Sequence, residues 1–162
     1  MRNLVVYSSK TGNTKKLAEA IYDYLPKEKE IYSIEKAPAP DDYTFVAVGF
    51  RIENGAPDKA TQEYLKKFID EKELFLFATH ASSPESEEVK EAMNLAKELA
   101  KRARIVGTFD CLGEVPEDVL AEARKQDPVP KWVLDAEKAK GHPNEEDIER
   151  LIKLLNSLDL PL

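Results

Sequence analysis

Between an apolar run, Leu4 to Tyr7, and a stretch of helical periodicity that begins near Asn13 lies the string Ser8, Ser9, Lys10, Thr11, Gly12, Asn13, Thr14. Three serine or threonine hydroxyls ahead of the helix, a glycine that lets the backbone turn tightly, and the free amides of a starting helix make a nest of donors for an anion. Each hydrogen bond to a charged oxygen contributes about 1.5–3 kcal/mol, so a handful can hold a phosphate without a dedicated arginine. Lys10, Lys15 and Lys16 add attraction or serve as solvated surface. Spacing excludes the rival loops. A nucleoside-triphosphate loop needs GxxxxGK followed by serine or threonine, and here Gly12 is followed by Asn13 and Thr14. A dinucleotide fingerprint needs three glycines, a thiolate phosphatase needs a cysteine in the loop, and a phosphoacceptor domain wants an aspartate where Gly49 ends the third strand.

The elements that must position this loop alternate buried-strand runs with amphipathic stretches, the pattern of βαβ units in a parallel sheet covered on both faces. Five strands are expected, Asn3–Ser8, Glu30–Ile34, Thr44–Gly49, Glu73–Thr79 and Arg104–Phe109. The first helix carries Leu17, Ile21 and Leu25 on one face and stops at Pro26. A second is entered through Pro57 and Asp58 and presents Ala60, Tyr64 and Phe68. The third is expected to start at Ser83 as N-cap with Pro84 in its first turn, burying Val89, Met93, Ala96 and Ala100. The last takes Asn144 as N-cap and a stripe of Ile148, Leu151, Ile152 and Leu155. Gln126 to His142 is too long for a routine connector, and a short helix is expected around Val133 to Lys140. Such apolar stripes set a fold and carry no chemistry of their own.

A chain of 162 residues with 42% hydrophobic content can bury one sizeable core, so a single domain spanning 1–162 is expected. The longest apolar runs are too short to span a bilayer and the N-terminus lacks a cleavable leader, which implies a cytoplasmic protein without membrane attachment. Cys111 is the sole cysteine, so no internal disulfide can form. With two histidines beside it the chain is a poor source of metal ligands, and redox work would need a borrowed cofactor. The 24 basic residues are scattered among 31 acidic ones for a net charge of −7, which argues against nucleic acid and suits docking on a basic protein.

In an open parallel sheet the ligand sits beyond the carboxyl ends of the strands, which directs attention to the segments after strands one, three and four. Ser9 to Thr14, reading SKTGNT directly after LVVYS, resembles the FMN-phosphate loop of flavodoxins. The resemblance covers the whole chain and implies a three-layer, doubly wound α/β fold with strand order 2-1-3-4-5. Gly49-Phe50 followed by NGAPDK, the run Phe77 to Thr79 with PESEE after it, Cys111 with Gly113, and GHPNEEDIE near the end look like a branch associated with a bilirubin reductase. That likeness implies electron delivery to a partner oxidoreductase by a monomer or weak dimer.

The resemblance further implies FMN as cofactor, with Ser9, Thr11, Asn13 and Thr14 donating to its phosphate and Lys10 and Gly12 giving backbone amides. Phe50 to Ala56 would flank the isoalloxazine ring, with Phe50 and Arg51 beside it and the turn-prone Asn54 and Gly55 placing a peptide group at N5. Thr79 to Ser86, including His80, Ala81, Ser82 and Ser83, would cover the other side. The chain departs from the family here, because flavodoxins commonly sandwich the ring between aromatic side chains from these two loops. Arg51, His80 or Trp132 would have to substitute for them; two lost stacking contacts weaken binding about tenfold to a hundredfold. Glu53, Glu85, Glu87 and Glu88 would disfavour an anionic reduced ring if they face it, and Cys111 reads as a packed small residue. The alternatives are an NAD(P)H-dependent flavin or quinone reductase and a flavin-free binding module.

Overall fold

The computed structural model describes Arg2 to Leu162. The chain runs β1 (Asn3–Tyr7), α1 (Asn13–Tyr24), β2 (Lys29–Ser33), β3 (Phe45–Glu53), β4 (Ala56–Pro57), α2 (Lys59–Phe68), β5 (Glu73–His80), α3 (Glu87–Leu99), β6 (Arg104–Leu112), α4 (Glu117–Arg124), α5 (Trp132–Lys138) and α6 (Glu145–Ser157). Five strands form one parallel sheet in the order β2-β1-β3-β5-β6, and the two-residue β4 pairs antiparallel with the end of β3. With β4 set aside this is the expected order 2-1-3-4-5.

The continuous apolar runs of β1, β3 and β5 follow from burial on both faces. Successive side chains point to opposite sides, so Leu4, Val6, Val46, Val48, Leu74 and Leu76 meet Tyr64, Leu65, Val89 and Met93 of α2 and α3. On the other face Val5, Phe45, Ala47, Phe75 and Phe77 meet Leu17, Ile21, Leu151 and Leu155 of α1 and α6. A satellite core of Leu120, Ala123, Val133 and Ala136 joins α4 to α5, with Trp132 packed against it. No described helix is long and apolar enough to cross a membrane.

Several expectations are corrected. Helix α3 starts at Glu87, because Ser86, not Ser83, accepts from the amide of Val89 and leaves Ala81 to Glu85 as a loop. In α2 the side chain of Asp58 accepts from the amide of Thr61, and this start turns Thr61, Tyr64 and Leu65 inward. Ala60 therefore faces out, and Phe68 is 39% exposed with its ring against Tyr64. Strand β3 extends four residues past Gly49 and carries Phe50 and Arg51 as strand residues. The short helix in the long connector is present as α5, whereas α4 was not anticipated.

Helix α6 is anchored by a capping box in which Asn144 accepts from the Asp147 amide while the Asp147 carboxylate accepts from the Asn144 amide at 2.8 Å. The same carboxylate, 3% exposed, also meets His142 Nδ1 and Arg150 Nη2, each at 2.6 Å. Burial alone would push this carboxyl up, but the Asn144 amide, His142 and Arg150 outweigh it and hold it below its ordinary value of 3.8. A depressed folded value stabilises the native state above the unfolded value, and the contribution is lost as pH falls towards the folded one. On acidification from neutral pH to about 3, the wild type should therefore lose melting temperature more steeply than Asp147→Asn.

Candidate functional site

The carboxyl ends of β1, β3, β5 and β6 surround a cleft of about 470 Å³, within the range of small-molecule sites. Its floor is the loop after β1. Ser8, the first residue past the strand, places its amide on the Gly49 carbonyl at 2.9 Å, which fixes where the loop departs. Gly12 then adopts φ 94°, a left-handed conformation that costs glycine little, and the Ser9 hydroxyl oxygen accepts from the Gly12 amide at 3.0 Å. Helix α1 follows without a side-chain cap, as do α4 and α5, whereas α2, α3 and α6 are capped by Asp58, Ser86 and Asn144. The first-turn amides of α1 and the positive end of its dipole are thus left for an anion. A side chain built on Gly12 would meet no atom within 4 Å, so the space above this turn is open.

The loop side chains divide into anchors and free donors. Thr14 is 1% exposed, and its hydroxyl lies 2.8 Å from that of Thr79 on β5, tying the helix start to the sheet. Asn13 Nδ2 donates to the Glu114 carbonyl at 2.8 Å. These two side chains brace the loop, which leaves their backbone amides as the groups free to meet an anion. The Ser9 hydroxyl keeps its proton to donate, and Lys10 and Thr11 are partly or fully exposed on the cleft. A Cβ at Gly113 would come within 2.8 Å of Asn13 Nδ2, so the close approach of the β1 and β6 loops depends on the missing side chain.

The walls differ from expectation. Arg51, Ile52 and Glu53 line one side, but Phe50 is fully buried in the core beneath α2 and α3 and has no access to the cleft. Asn54 and Gly55, at φ 52° and 74°, form the two-residue tip of the β3–β4 hairpin. That tip leans on α3, where a Cβ on Gly55 would lie 3.2 Å from Glu91 Oε2, and it is not part of the cleft lining. Thr79, His80 and Ala81 line the cleft, while Ser82 and Ser83 do not. The His80 imidazole, 1% exposed, has no free face: Nδ1 donates to the Ser82 carbonyl at 2.8 Å and Nε2 meets Asp110 Oδ1 at 2.8 Å. It pins its own loop and cannot stack on a ligand. Trp132 packs on the α4–α5 core rather than over the cleft, and Glu85, Glu87 and Glu88 stand outside the lining.

The remaining wall, Gly113 to Pro116 with Asp118 and Val119, comes from the segment entering α4 and was missed in the sequence. The signal was there: Pro116 followed by two acids and Leu120 with Ala123 marks a helix start directly past the fifth strand. Among the described residues the lining contains no aromatic ring other than the tethered His80, and its apolar surface is Ile52, Ala81, Val115, Pro116 and Val119. The charged residues of the lining are Lys10 and Arg51 with Glu53, Glu114 and Asp118, Arg51 being paired with Glu53 on the same wall. Cys111 is 2% exposed and burial pushes its thiol up to about 12, so it is an inert packing residue. Among the described residues no group of histidine, cysteine, aspartate and glutamate side chains could hold a metal ion.

Comparison with known proteins agrees with the fold. A short-chain flavodoxin associated with a non-canonical PDU bacterial microcompartment superposes with TM-score 0.64 at 18% identity, over 98% of this chain and 97% of that one. The flavodoxin of Streptococcus pneumoniae TIGR4 gives 0.64 at 16% identity, over 96% of each chain. A flavoprotein from Lactobacillus acidophilus NCFM, whose structure is a complex with FMN, gives 0.55 at 18% identity, over 67% of this chain and 92% of that one. In sequence, the flavodoxin-like domain-containing protein BilS of Clostridioides difficile (strain CD3) is 28% identical over 160 residues, 91% of this chain and 90% of the relative. The family model described as flavodoxin domain matches residues 4–156, and the chain therefore belongs to the flavodoxin family.

Proposed function

We propose that this chain binds FMN in the cleft and carries electrons to a partner oxidoreductase. The observation that carries the reading is the uncapped start of α1 beneath a left-handed Gly12, opening into a cleft with aliphatic walls where the sheet changes direction between β1 and β3. The residues present fit the group. The Ser9 and Thr11 hydroxyls, Lys10 and the first amides of α1 would hold the phosphate, and Ile52 with Val115 and Val119 would flank a planar ring. Bound FMN would supply reversible electron transfer; the protein's task is to hold the ring, exclude water from its faces and set the charge around it. No side chain of the cleft is needed as acid or base: Glu53 is held by Arg51 Nε at 2.7 Å, and His80 is tethered. The net charge of −7 suits a basic docking surface on the partner. The reading includes a single cytoplasmic domain over 1–162, acting as a monomer or weak dimer.

A second reading, a reductase that takes a hydride directly from NAD(P)H, is favoured by one observation, the lack of an aromatic lid in the lining. One experiment separates the two. Protein loaded with FMN should keep its yellow absorbance under anaerobic NAD(P)H and bleach when a flavodoxin reductase is added. Rapid bleaching by NAD(P)H alone would transfer the assignment to the reductase, and a protein that stays colourless with excess FMN would exclude both.

A further inference from the structure

Arg51 lies in the cleft lining, and two features make it more than a surface cation. Its Nε donates to Glu53 Oε1 at 2.7 Å, and Nη1 reaches Ser8 Oγ at 3.4 Å. Ser8 is itself fixed, because its hydroxyl donates to Asp58 Oδ2 at 2.8 Å and that carboxylate, 9% exposed, is further held by the Thr61 hydroxyl and amide. The guanidinium is therefore braced from the end of β1 and the start of α2, and its side chain is only 30% exposed. Five N–H donors are available on a guanidinium, and among the described residues two of them find acceptors here. The others belong to a side chain that lines the cleft.

We infer that Arg51 is a flavin-contacting residue that favours the reduced ring over the oxidised one, with Glu53 moderating its charge. The inference rests on the FMN reading and deepens it. Reduction of an isoalloxazine adds electron density to its carbonyl and nitrogen edge, and a fixed cation with free donors interacts more strongly with the richer acceptor. Water excluded from a half-buried site screens the interaction less than it would at the surface. Glu53 acts in the opposite sense, since its carboxylate offsets the guanidinium and repels the same electron density. The sign of the effect at each of the two positions is thereby fixed, and a purely structural ion pair predicts neither.

The test is the midpoint potential of the FMN-loaded protein, measured by anaerobic titration against redox dyes, beside the dissociation constant of oxidised FMN. Arg51→Gln should lose at least tenfold in preference for reduced over oxidised FMN, a fall of about 30 mV in the two-electron midpoint, with oxidised FMN still bound. Arg51→Lys should fall between that variant and the wild type, because the charge stays and the fork of donors is lost. Glu53→Gln should move the midpoint the other way. Equal potentials for the wild type and Arg51→Gln, or shifts of the same sign for Arg51→Gln and Glu53→Gln, overturn the inference and leave FMN binding intact. A wild type that takes up no FMN overturns the FMN reading itself, and this one with it.

Discussion

Gly12→Asp is expected to weaken FMN binding at least a hundredfold while the fold survives. At φ 94° an L side chain is strained by about 1–2 kcal/mol, and this part of the loss falls on stability alone. The space a side chain would enter is open, with no atom within 4 Å of the new Cβ, so packing is undisturbed. What changes is the charge. A carboxylate placed over the uncapped start of α1 can accept from the amides that would otherwise meet the phosphate, and it repels a doubly negative ligand. A hundredfold corresponds to about 2.7 kcal/mol, within reach of two displaced charge-assisted hydrogen bonds. Gly12→Ala is the control, carrying the strain without the charge. Both variants should stay folded, the aspartate variant melting above the alanine one because its carboxylate caps α1, and only the aspartate variant should fail to take up FMN at concentrations that saturate the other. Equal FMN affinity in the two variants would mean that the phosphate is held elsewhere.

Gly49→Ala should produce the largest loss of stability of any single methyl addition to the sheet. The added Cβ would lie 2.1–2.6 Å from three atoms of the Phe77 ring on the neighbouring strand β5, a separation at which something must move. Phe77 is fully buried, stacked with Phe75 at 6.4 Å, and enclosed by α1 and α6, so the ring has no empty volume to enter. Overpacking of this kind costs about 3 kcal/mol or somewhat more, a drop of roughly 6–12 °C in a domain of this size. Gly49 also receives the Ser8 amide, so the disturbance should reach the loop and lower FMN affinity as well. Calorimetry of Gly49→Ala, Phe77→Leu and the double variant checks the mechanism. The double variant should be clearly more stable than the sum of the single losses predicts, because the smaller side chain clears the space. Simple additivity would place the strain somewhere other than this contact.

Most of the scaffold was legible because its signals are local and repeated. LVVY, FVAV and LFLF are apolar on both faces, which in strands means cover on both sides, and the spacing of Leu17, Ile21 and Leu25 admits one helical face. The turn between β1 and α1 was legible for the same reason: Gly12, the hydroxyls and the helix start are contiguous. The walls of the cleft were not. Phe50 reads as loop only if β3 stops at Gly49; the strand continues, alternation turns Phe50 inward to α2 and α3, and Arg51 becomes the side chain on the cleft. His80 looked available as a ring, but a partner thirty residues away, Asp110 on β6, fixes its imidazole, and no local pattern announces such a pairing. The bracing of Asn13 by Glu114 spans 101 residues and was invisible for that reason. The α4 wall was missed although its signal was local, because the end of the fifth strand lay outside the segments inspected for a ligand.

FMN binding in this cleft requires that the loop recognise a phosphate dianion and that the rest of the cleft adapt to what the phosphate carries. Titrating the protein with FMN and with riboflavin, which has the same ring and ribityl chain without the phosphate, isolates that term, with quenching of flavin fluorescence as the readout. FMN should bind at least a hundredfold more tightly than riboflavin, about 2.7 kcal/mol from the loop alone, and the gap should close in Gly12→Asp. Equal affinities for the two ligands in the wild type would contradict the account.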